Sequence, residues 1–325
     1  MNSTLAIWCN AQLPAEIMER LRLEAAPHRL HVSTVSSASN LTAGSPDPAM
    51  AEADVAFGQP DPETAAACSR LRWVHLTSAG YTRYDTDAFR AAFLARGAAL
   101  TNSSSVYAEP CAEHAMAFIL AQARQLPRAL DSQRADRGWP IVEIRAASRL
   151  LAGKSFLLLG YGAIGKRLAE LLTPYGVRIS ALRRKIGVES GVQILSAADL
   201  FPALAEADHV VNILPESDET RGFVGEKFFA AMKPGAVFYN IGRGVTVDQA
   251  ALEEALRAGR LAAAHLDVTS PEPLPPNHPL WTTPNCFITP HTAGGHDAEF
   301  SALIEHFLGN LQRFCAGAPL HDRIV

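Results

Sequence analysis

The sequence predicts an α/β protein built from two parallel-sheet domains. Three observations predict it. The 325 residues correspond to about two domains at roughly 150 residues each. Short apolar runs alternate with helix-like segments, and this βα alternation lapses near residue 103 before resuming as a second series. In that second series a glycine turn of the form GxGxxG lies between an apolar run and a helical pattern.

In chain order, Leu5–Trp8 reads as a strand, Pro14–Leu23 as a helix and Ala53–Phe57 as a strand. Leu71–Leu76 reads as another strand, ending at the turn-like Thr77-Ser78-Ala79-Gly80. The Pro/Gly/Ser/Thr-rich stretch Asn40–Pro48 reads as a surface loop. After Thr101–Ser105 the character changes, and Ala112–Leu126 forms an Ala-rich amphipathic helical pattern with no Gly or Pro inside. A domain crossover is therefore expected near Ser103–Val106. The second series runs through Ser155–Leu159, Val177–Leu182, His209–Leu214, Ala236–Asn240 and Ala263–Val268. A Pro-rich loop, Ser270–Pro279, and a short strand, Phe287–Thr289, come next. The last helical segment, about Ala298–Cys315, is expected to return to the first domain. The expected domains are 1–103 with 291–325, and 104–290.

Composition removes several classes of function. Lys plus Arg number 29 against 33 Asp plus Glu, a net charge of −4, which gives no support to nucleic-acid or membrane-surface binding. No apolar stretch approaches the ~20 residues that cross a bilayer, and Met1–Thr4 lacks the basic start of a signal peptide. Cys9, Cys68, Cys111, Cys286 and Cys315 are odd in number, scattered and never spaced as CxxC. That spacing argues against a disulfide framework or a structural metal site, and for a reducing, cytoplasmic compartment.

The glycine turn carries the first chemistry. Ser155–Leu159 leads into Gly160-Tyr161-Gly162-Ala163-Ile164-Gly165, and a helical pattern, Lys166–Leu172, comes after it. Gly160 permits a tight turn, Gly162 lets backbone approach a pyrophosphate, and Gly165 lets helix pack on strand. The helix N-terminus then offers free N–H groups and the positive end of its dipole to phosphate. A glycine turn of an unrelated α/β protein is the bland alternative, but the strand–turn–helix context favours a Rossmann-like, dinucleotide-binding domain. About 20 residues on, an Asp or Glu would accept the adenine ribose 2′-hydroxyl of NAD. Here, 183 − 165 = 18 residues after Gly165, the chain reads Leu182-Arg183-Arg184-Lys185, with no acid. Guanidinium groups at Arg183 and Arg184 suit a 2′-phosphate, so NADP(H) is expected in preference, with NAD(H) as the alternative.

Two further blocks complete a pattern. Val210–Gly244 reads VVNILPESDETRGFVGEKFFAAMKPGAVFYNIGRG, and Ala263–His291 reads AAHLDVTSPEPLPPNHPLWTTPNCFITPH. With Ala108–His114, AEPCAEH, they resemble the signature segments of the D-isomer-specific 2-hydroxyacid dehydrogenases, most of all the glyoxylate- and hydroxypyruvate-reducing branch. The resemblance runs from about Leu71 to the C-terminus. It implies a flavodoxin-like substrate domain beside the dinucleotide-binding one, an active-site cleft between them, and a homodimer whose exchange arm is Leu126–Leu150.

The resemblance also implies a catalytic set: Arg243 to bind the substrate carboxylate and polarise its carbonyl, His291 as acid/base, and Glu272 to pair with His291. The chemistry agrees. Reduction of a 2-keto acid needs a proton donor, which an imidazole beside a carboxylate supplies, and a cation near the developing alkoxide. Asp267 resembles the partner of the nicotinamide carboxamide. Leu214, Pro215, Ile241 and Gly242 match segments beside the cofactor, and Thr220 matches a helix-starting contact. Ala79 and Gly80 match a loop whose backbone N–H groups face the substrate carboxylate, and Trp281 matches an aromatic position of the glyoxylate-reducing members. The expected function is NADPH-dependent reduction of a small 2-keto acid to the D-2-hydroxy acid. Its rival is a non-catalytic, cofactor-sensing binding protein of the same architecture, similar to corepressors of the C-terminal-binding-protein type.

Overall fold

Strands β1 (Ala6–Cys9), β2 (Arg29–Val32), β3 (Val55–Gly58), β4 (Trp73–Leu76) and β5 (Ala99–Thr101) pair in parallel in the order β2-β1-β3-β4-β5. They are seen in a computed structural model that describes residues 4–35, 44–184 and 187–325. Lys185, and residues 40–43 of the expected Asn40–Pro48 loop, lie outside the described residues. This order is the flavodoxin-like one, with its reversal at β1/β3. Helices α1 (Ala15–Glu24), α2 (Pro62–Ala67) and α3 (Asp87–Ala95) connect the strands. Asp61 caps α2 by accepting from the Thr64 N–H, with Pro62 at the first helical position, and Thr86 caps α3 through the Phe89 N–H. Alternation along the strands buries both faces. Ile7, Cys9, Val55, Phe57 and Trp73 meet Ile304, Phe307 and Leu311 of the C-terminal helix Glu299–Cys315, while Trp8, Ala56, Val74 and Leu76 pack with Phe89 and Phe93. This unit comprises Met1–Tyr107 and His296–Val325.

The second unit, Ala108–Gly295, begins with α4 (Ala108–Ala123), α5 (Leu126–Ala135) and α6 (Ile141–Ala147). Its strands are β6 (Ser155–Leu159), β7 (Arg178–Leu182), β8 (Val192–Leu195), β9 (His209–Asn212), β10 (Val237–Asn240), β11 (Ala263–Leu266) and β12 (Cys286–Ile288). Helices α7 (Ala163–Leu172), α8 (Leu200–Glu206), α9 (Glu226–Ala231) and α10 (Gln249–Arg257) cross between them. The parallel order β12-β11-β10-β9-β6-β7-β8 is the doubly wound dinucleotide-fold order with one added strand. Its topological switch lies between β6 and β9. Leu157 and Leu159 face one core layer and Phe156 and Leu158 the other. The run SFLLL is continuously apolar because the strand is covered on both sides.

Most element ends differ from the sequence expectation by one or two residues, as helix and strand ends commonly do. Two helices differ more. α7 begins at Ala163 rather than Lys166, because the helix already starts inside the glycine turn with Gly162 as its N-cap. Instead of Ala112–Leu126, α4 spans Ala108–Ala123, with Pro110 in the first turn, where its missing N–H is an orphan anyway. The pattern breaks at Gln125, whose φ is +58°, and α5 starts anew at Leu126. The second crossover also lies later than residue 290. His291–Gly295 stay with the second unit because Asp267 accepts hydrogen bonds from the Thr292 and Ala293 N–H groups.

Candidate functional site

The glycine turn closes the carboxyl end of β6. Gly160 has φ +101°, and its N–H donates to Leu182 O at the end of β7. A Cβ there would meet Ile213 O at 3.1 Å, and one at Gly165 would meet Gly160 O at 2.7 Å. At Gly162 a Cβ would meet nothing within 4 Å. Two of the three glycines therefore serve close packing, and the middle one leaves open space in front of the α7 N-terminus. Tyr161 is buried in the core layer beneath, whereas Ala163 and Ile164 form the first turn of α7. An open backbone cradle at a helix N-terminus fits a pyrophosphate. The residues present thus fit a dinucleotide.

Neighbouring strand ends are built around the same turn. A Cβ at Gly242 would lie 2.7 Å from Leu214 O, so the segments after β9 and β10 approach each other only because of that glycine. Ile241 points into the core and is 4% exposed; Leu214 is half-buried and Pro215 is exposed. Thr220 does not start a helix. Its hydroxyl donates to Pro215 O at 2.6 Å and accepts from the Ser217 N–H at 2.8 Å, closing a turn well before α9. The intervening Gly222 and Gly225 delay helix formation to Glu226.

Arg243 comes after β10 on a buried polar scaffold. Asn212 Nδ2 donates to Asn240 Oδ1 and to Thr246 Oγ1, and Thr246 Oγ1 donates to Arg243 O at 2.7 Å. Asn240 Nδ2 also donates to Arg243 O, and its Oδ1 accepts from the Gly242 N–H. Burial disfavours the Arg243 charge, while the fields of the Glu272 and Glu216 carboxylates oppose that loss. Cys111 itself is pushed up to about 12 by burial and by Asp267; it stays a thiol and is no nucleophile at neutral pH.

His291 Nδ1 lies 2.8 Å from Glu272 Oε2. A carboxylate only accepts, so Nδ1 carries a hydrogen. The other carboxylate oxygen accepts from the Thr269 N–H at 2.9 Å. Burial raises the Glu272 carboxyl, but the His291 and Thr269 hydrogen bonds and the Arg243 charge bring it net below its ordinary value. His291 has φ +53°, a left-handed conformation that costs a non-glycine residue about 1–2 kcal/mol. Its N–H bonds Asp267 O and Thr289 O at 2.8 and 3.0 Å, and these hold it there.

Asp267, 2% exposed, organises that turn. Its carboxylate accepts from Thr289 Oγ1 at 2.6 Å and from the Thr292 and Ala293 N–H groups at 2.9 and 3.0 Å. His114 on α4 lies 3.1 Å from Thr289 Oγ1 and 3.6 Å from Asp267. Because the Thr289 hydrogen goes to Asp267, His114 Nε2 must donate to the Thr289 oxygen. Trp281, half-exposed, donates to Pro275 O and pins the Pro-rich loop.

In the first unit, Ala79 and Gly80 come after β4. Asn102 Nδ2 donates to Ala79 O and Ser78 Oγ to Gly80 O. The sequence pattern alone gives no role to Asn102, Asn212, Asn240, Thr246 or His114. Polar residues ending apolar strands, Asn212 and Asn240, were the available signal.

Arg183 comes directly after β7 and is about one-third exposed, with Nη1 3.0 Å from Glu189 Oε1. Arg184 is exposed and loosely paired with Glu219 at 3.7 Å. Among the described residues no cluster of His, Cys, Asp or Glu could hold a metal ion. None of their helices is long and apolar enough to cross a membrane.

A glycine cradle at the switch of a doubly wound sheet, with an Arg and a Glu–His pair on the segments that follow neighbouring strands, defines a dinucleotide-dependent oxidoreductase. Residues 116–293 match the family model for the D-isomer specific 2-hydroxyacid dehydrogenase NAD binding domain. The chain is 36% identical over 244 residues to a glyoxylate reductase of Aeropyrum pernix, covering 72% of this chain and 70% of that protein. It is 34% identical over 262 residues to a glyoxylate reductase/hydroxypyruvate reductase of Homo sapiens, covering 80% and 78%. A crystal structure of a D-isomer specific 2-hydroxyacid dehydrogenase from Xanthobacter autotrophicus Py2, in complex with NADPH and MES, superposes with a TM-score of 0.81. That likeness covers 99% of this chain and 98% of the other at 26% identity. The chain belongs to the D-isomer specific 2-hydroxyacid dehydrogenase family and is an NAD(P)-dependent oxidoreductase.

Proposed function

We propose that this enzyme reduces a small 2-keto acid of the glyoxylate or hydroxypyruvate kind to its D-2-hydroxy acid, with NADPH the preferred donor. The observation that carries the proposal is the His291–Glu272 pair at 2.8 Å, set on segments that follow strands of the cofactor-binding sheet near Arg243. The activities of the two relatives, glyoxylate and hydroxypyruvate reduction, support the substrate class. The NADPH held by the Xanthobacter structure, and the absence of an acid at positions 182–184, support the cofactor preference.

Gly160–Gly165 and the start of α7 would hold the pyrophosphate, and Arg183 with Arg184 the 2′-phosphate. Leu214, Pro215, Ile241 and Gly242 would border the cofactor, and Asp267 would meet the carboxamide with the acceptor capacity its turn leaves over. Bound nicotinamide supplies the hydride. His291 supplies the proton. With Nδ1 committed to Glu272, the transferable proton sits on Nε2, and a Glu272 held ionised keeps that imidazolium oriented and charge-compensated. Arg243 pairs with the substrate carboxylate and stabilises the negative charge that grows on the carbonyl oxygen. Desolvation of the guanidinium strengthens both interactions.

We also place the enzyme in the cytoplasm as a homodimer. Its five cysteines are free, which suits a reducing compartment. No residue of α5 or α6 is buried, and Trp139, Val142 and Leu150 are 87%, 72% and 71% exposed, an apolar arm that fits a partner copy. The test of the function is a panel of 2-keto acids assayed with NADPH and with NADH. Turnover of glyoxylate and hydroxypyruvate with the NADPH rate higher is the expected result. Tight cofactor binding without turnover of any acid would overturn it in favour of a cofactor-sensing binding protein.

A further inference from the structure

We infer that Glu189 sets the balance between NADP(H) and NAD(H) by competing, as an internal carboxylate, for the cations that would hold a 2′-phosphate. The inference rests on the NADP(H) reading of Arg183. Glu189 Oε1 lies 3.0 Å from Arg183 Nη1 and 3.4 Å from Lys166 Nζ. The two cations come from different sides of the glycine turn. Arg183 is next to Leu182, whose carbonyl accepts from the Gly160 N–H, and Lys166 is next to Gly165 in the first turn of α7. Lys166 also lies 5.9 Å from the Tyr161 ring, which limits where its ammonium rests. A single carboxylate oxygen thus bridges the positive groups flanking the cradle, where an anion on the adenine ribose would be received.

Charge balance at this cluster separates the two cofactors. Two cations and one carboxylate leave the cluster with one net positive charge. A 2′-phosphate brings about −1.5 to −2, and it must share or displace Glu189 to reach Arg183. NAD(H) brings only a hydroxyl there. Glu189 then keeps its ion pairs and has lone pairs to spare for that hydroxyl, the task an acid after the second strand of this unit usually performs. Arg184 is held less firmly, being 85% exposed and 3.7 Å from its own partner Glu219, so the competition centres on Arg183. The carboxylate is therefore present in the fold although absent from the expected sequence position. It arrives from six residues further on (189 − 183 = 6).

Glu189→Gln removes the competing charge and keeps the side chain's size. One unit charge acting across roughly 6 Å of half-exposed site corresponds to about a tenfold change in affinity. The experiment is fluorescence titration of the full chain with NADPH and NADH, with 2′,5′-ADP and 5′-AMP as competitors. It compares the wild type, Glu189→Gln, Glu189→Ala, Arg183→Ala and the Arg183→Ala/Glu189→Gln double variant. The expected result is about tenfold tighter NADPH and 2′,5′-ADP binding in Glu189→Gln, with NADH and 5′-AMP unchanged or weaker. The gain should shrink when Arg183 is absent. An unchanged or lower NADPH/NADH affinity ratio in both Glu189 variants overturns the inference. Equal weakening of NADPH and NADH by Arg183→Ala instead overturns the NADP(H) reading, a separate outcome of the same titrations.

Discussion

Replacing Asp267 with Asn keeps the shape of a side chain that is 2% exposed but turns one acceptor into a donor. All three of its close partners donate: Thr289 Oγ1, Thr292 N–H and Ala293 N–H, at 2.6, 2.9 and 3.0 Å. With the new amide nitrogen towards Ala293, one charge-assisted bond worth about 1.5–3 kcal/mol is lost and a buried N–H is left unpaired at a further cost of about 1–3 kcal/mol. The opposite amide orientation sets two donors against it and is worse. Allowing for overlap of the two effects, destabilisation by about 3–5 kcal/mol is expected. The same turn holds His291 at positive φ, so kcat should fall along with stability. The assay is urea unfolding with thermal denaturation and steady-state reduction on the same samples. At about 2–4 °C per kcal/mol for a domain of this size, the melting temperature should drop by roughly 6–20 °C. A stability change below about 0.5 kcal/mol would refute the reasoning, since the carboxylate would then not be what holds the turn.

The same geometry sets three other outcomes. The Glu272 carboxyl is raised by burial but brought net below its ordinary value by His291, Thr269 and Arg243. A depressed carboxyl stabilises the fold above its unfolded-state pKa, and that contribution is lost as pH falls through the folded value. The stability gap between wild type and Glu272→Gln should therefore narrow as pH falls from about 5 to about 3, as read by urea unfolding at each pH; a gap that widens over that acid range contradicts it. Gly165→Ala places a Cβ 2.7 Å from Gly160 O. It should destabilise by about 1–3 kcal/mol and weaken both nicotinamide cofactors by at least about tenfold, which calorimetry would measure. Light scattering should show a dimer for the wild type and a monomer for Trp139→Asp/Val142→Asp, two substitutions at exposed arm positions that bury no core.

Much of this fold is readable from the chain because its buried strands are continuous apolar runs. Phe156–Leu159, Val210–Val211 and Val237–Tyr239 are buried on both faces, and such runs announce themselves. Strands without that signal escape the pattern: β2 is the half-polar edge segment Arg29–Val32, and β5 has only three residues. The proposed Arg243, Glu272 and His291 set can be picked out in the sequence because its members lie within motif-bearing segments. Partners contributed by distant segments are not. Glu189 meets Lys166 across 189 − 166 = 23 residues of chain, and His114 reaches Thr289 across 175. Such contacts depend on strand order and loop path, which the local pattern does not carry. The break at Gln125 is marked only by Pro127, in the first turn of α5, since Gln125 itself is neither Gly nor Pro.

The most direct measurement is the loss of reduced-cofactor absorbance when NADPH and glyoxylate or hydroxypyruvate are mixed with wild type and with His291→Asn, alongside the NADPH dissociation constant of each. The predicted result is NADPH-dependent turnover by the wild type, a D-configured product from hydroxypyruvate, and a rate lower by roughly 100- to 10,000-fold in His291→Asn with NADPH binding unchanged. Wild-type inactivity towards every 2-keto acid, or a His291→Asn rate within about threefold of wild type, would contradict His291 as the proton donor of a 2-keto acid reductase.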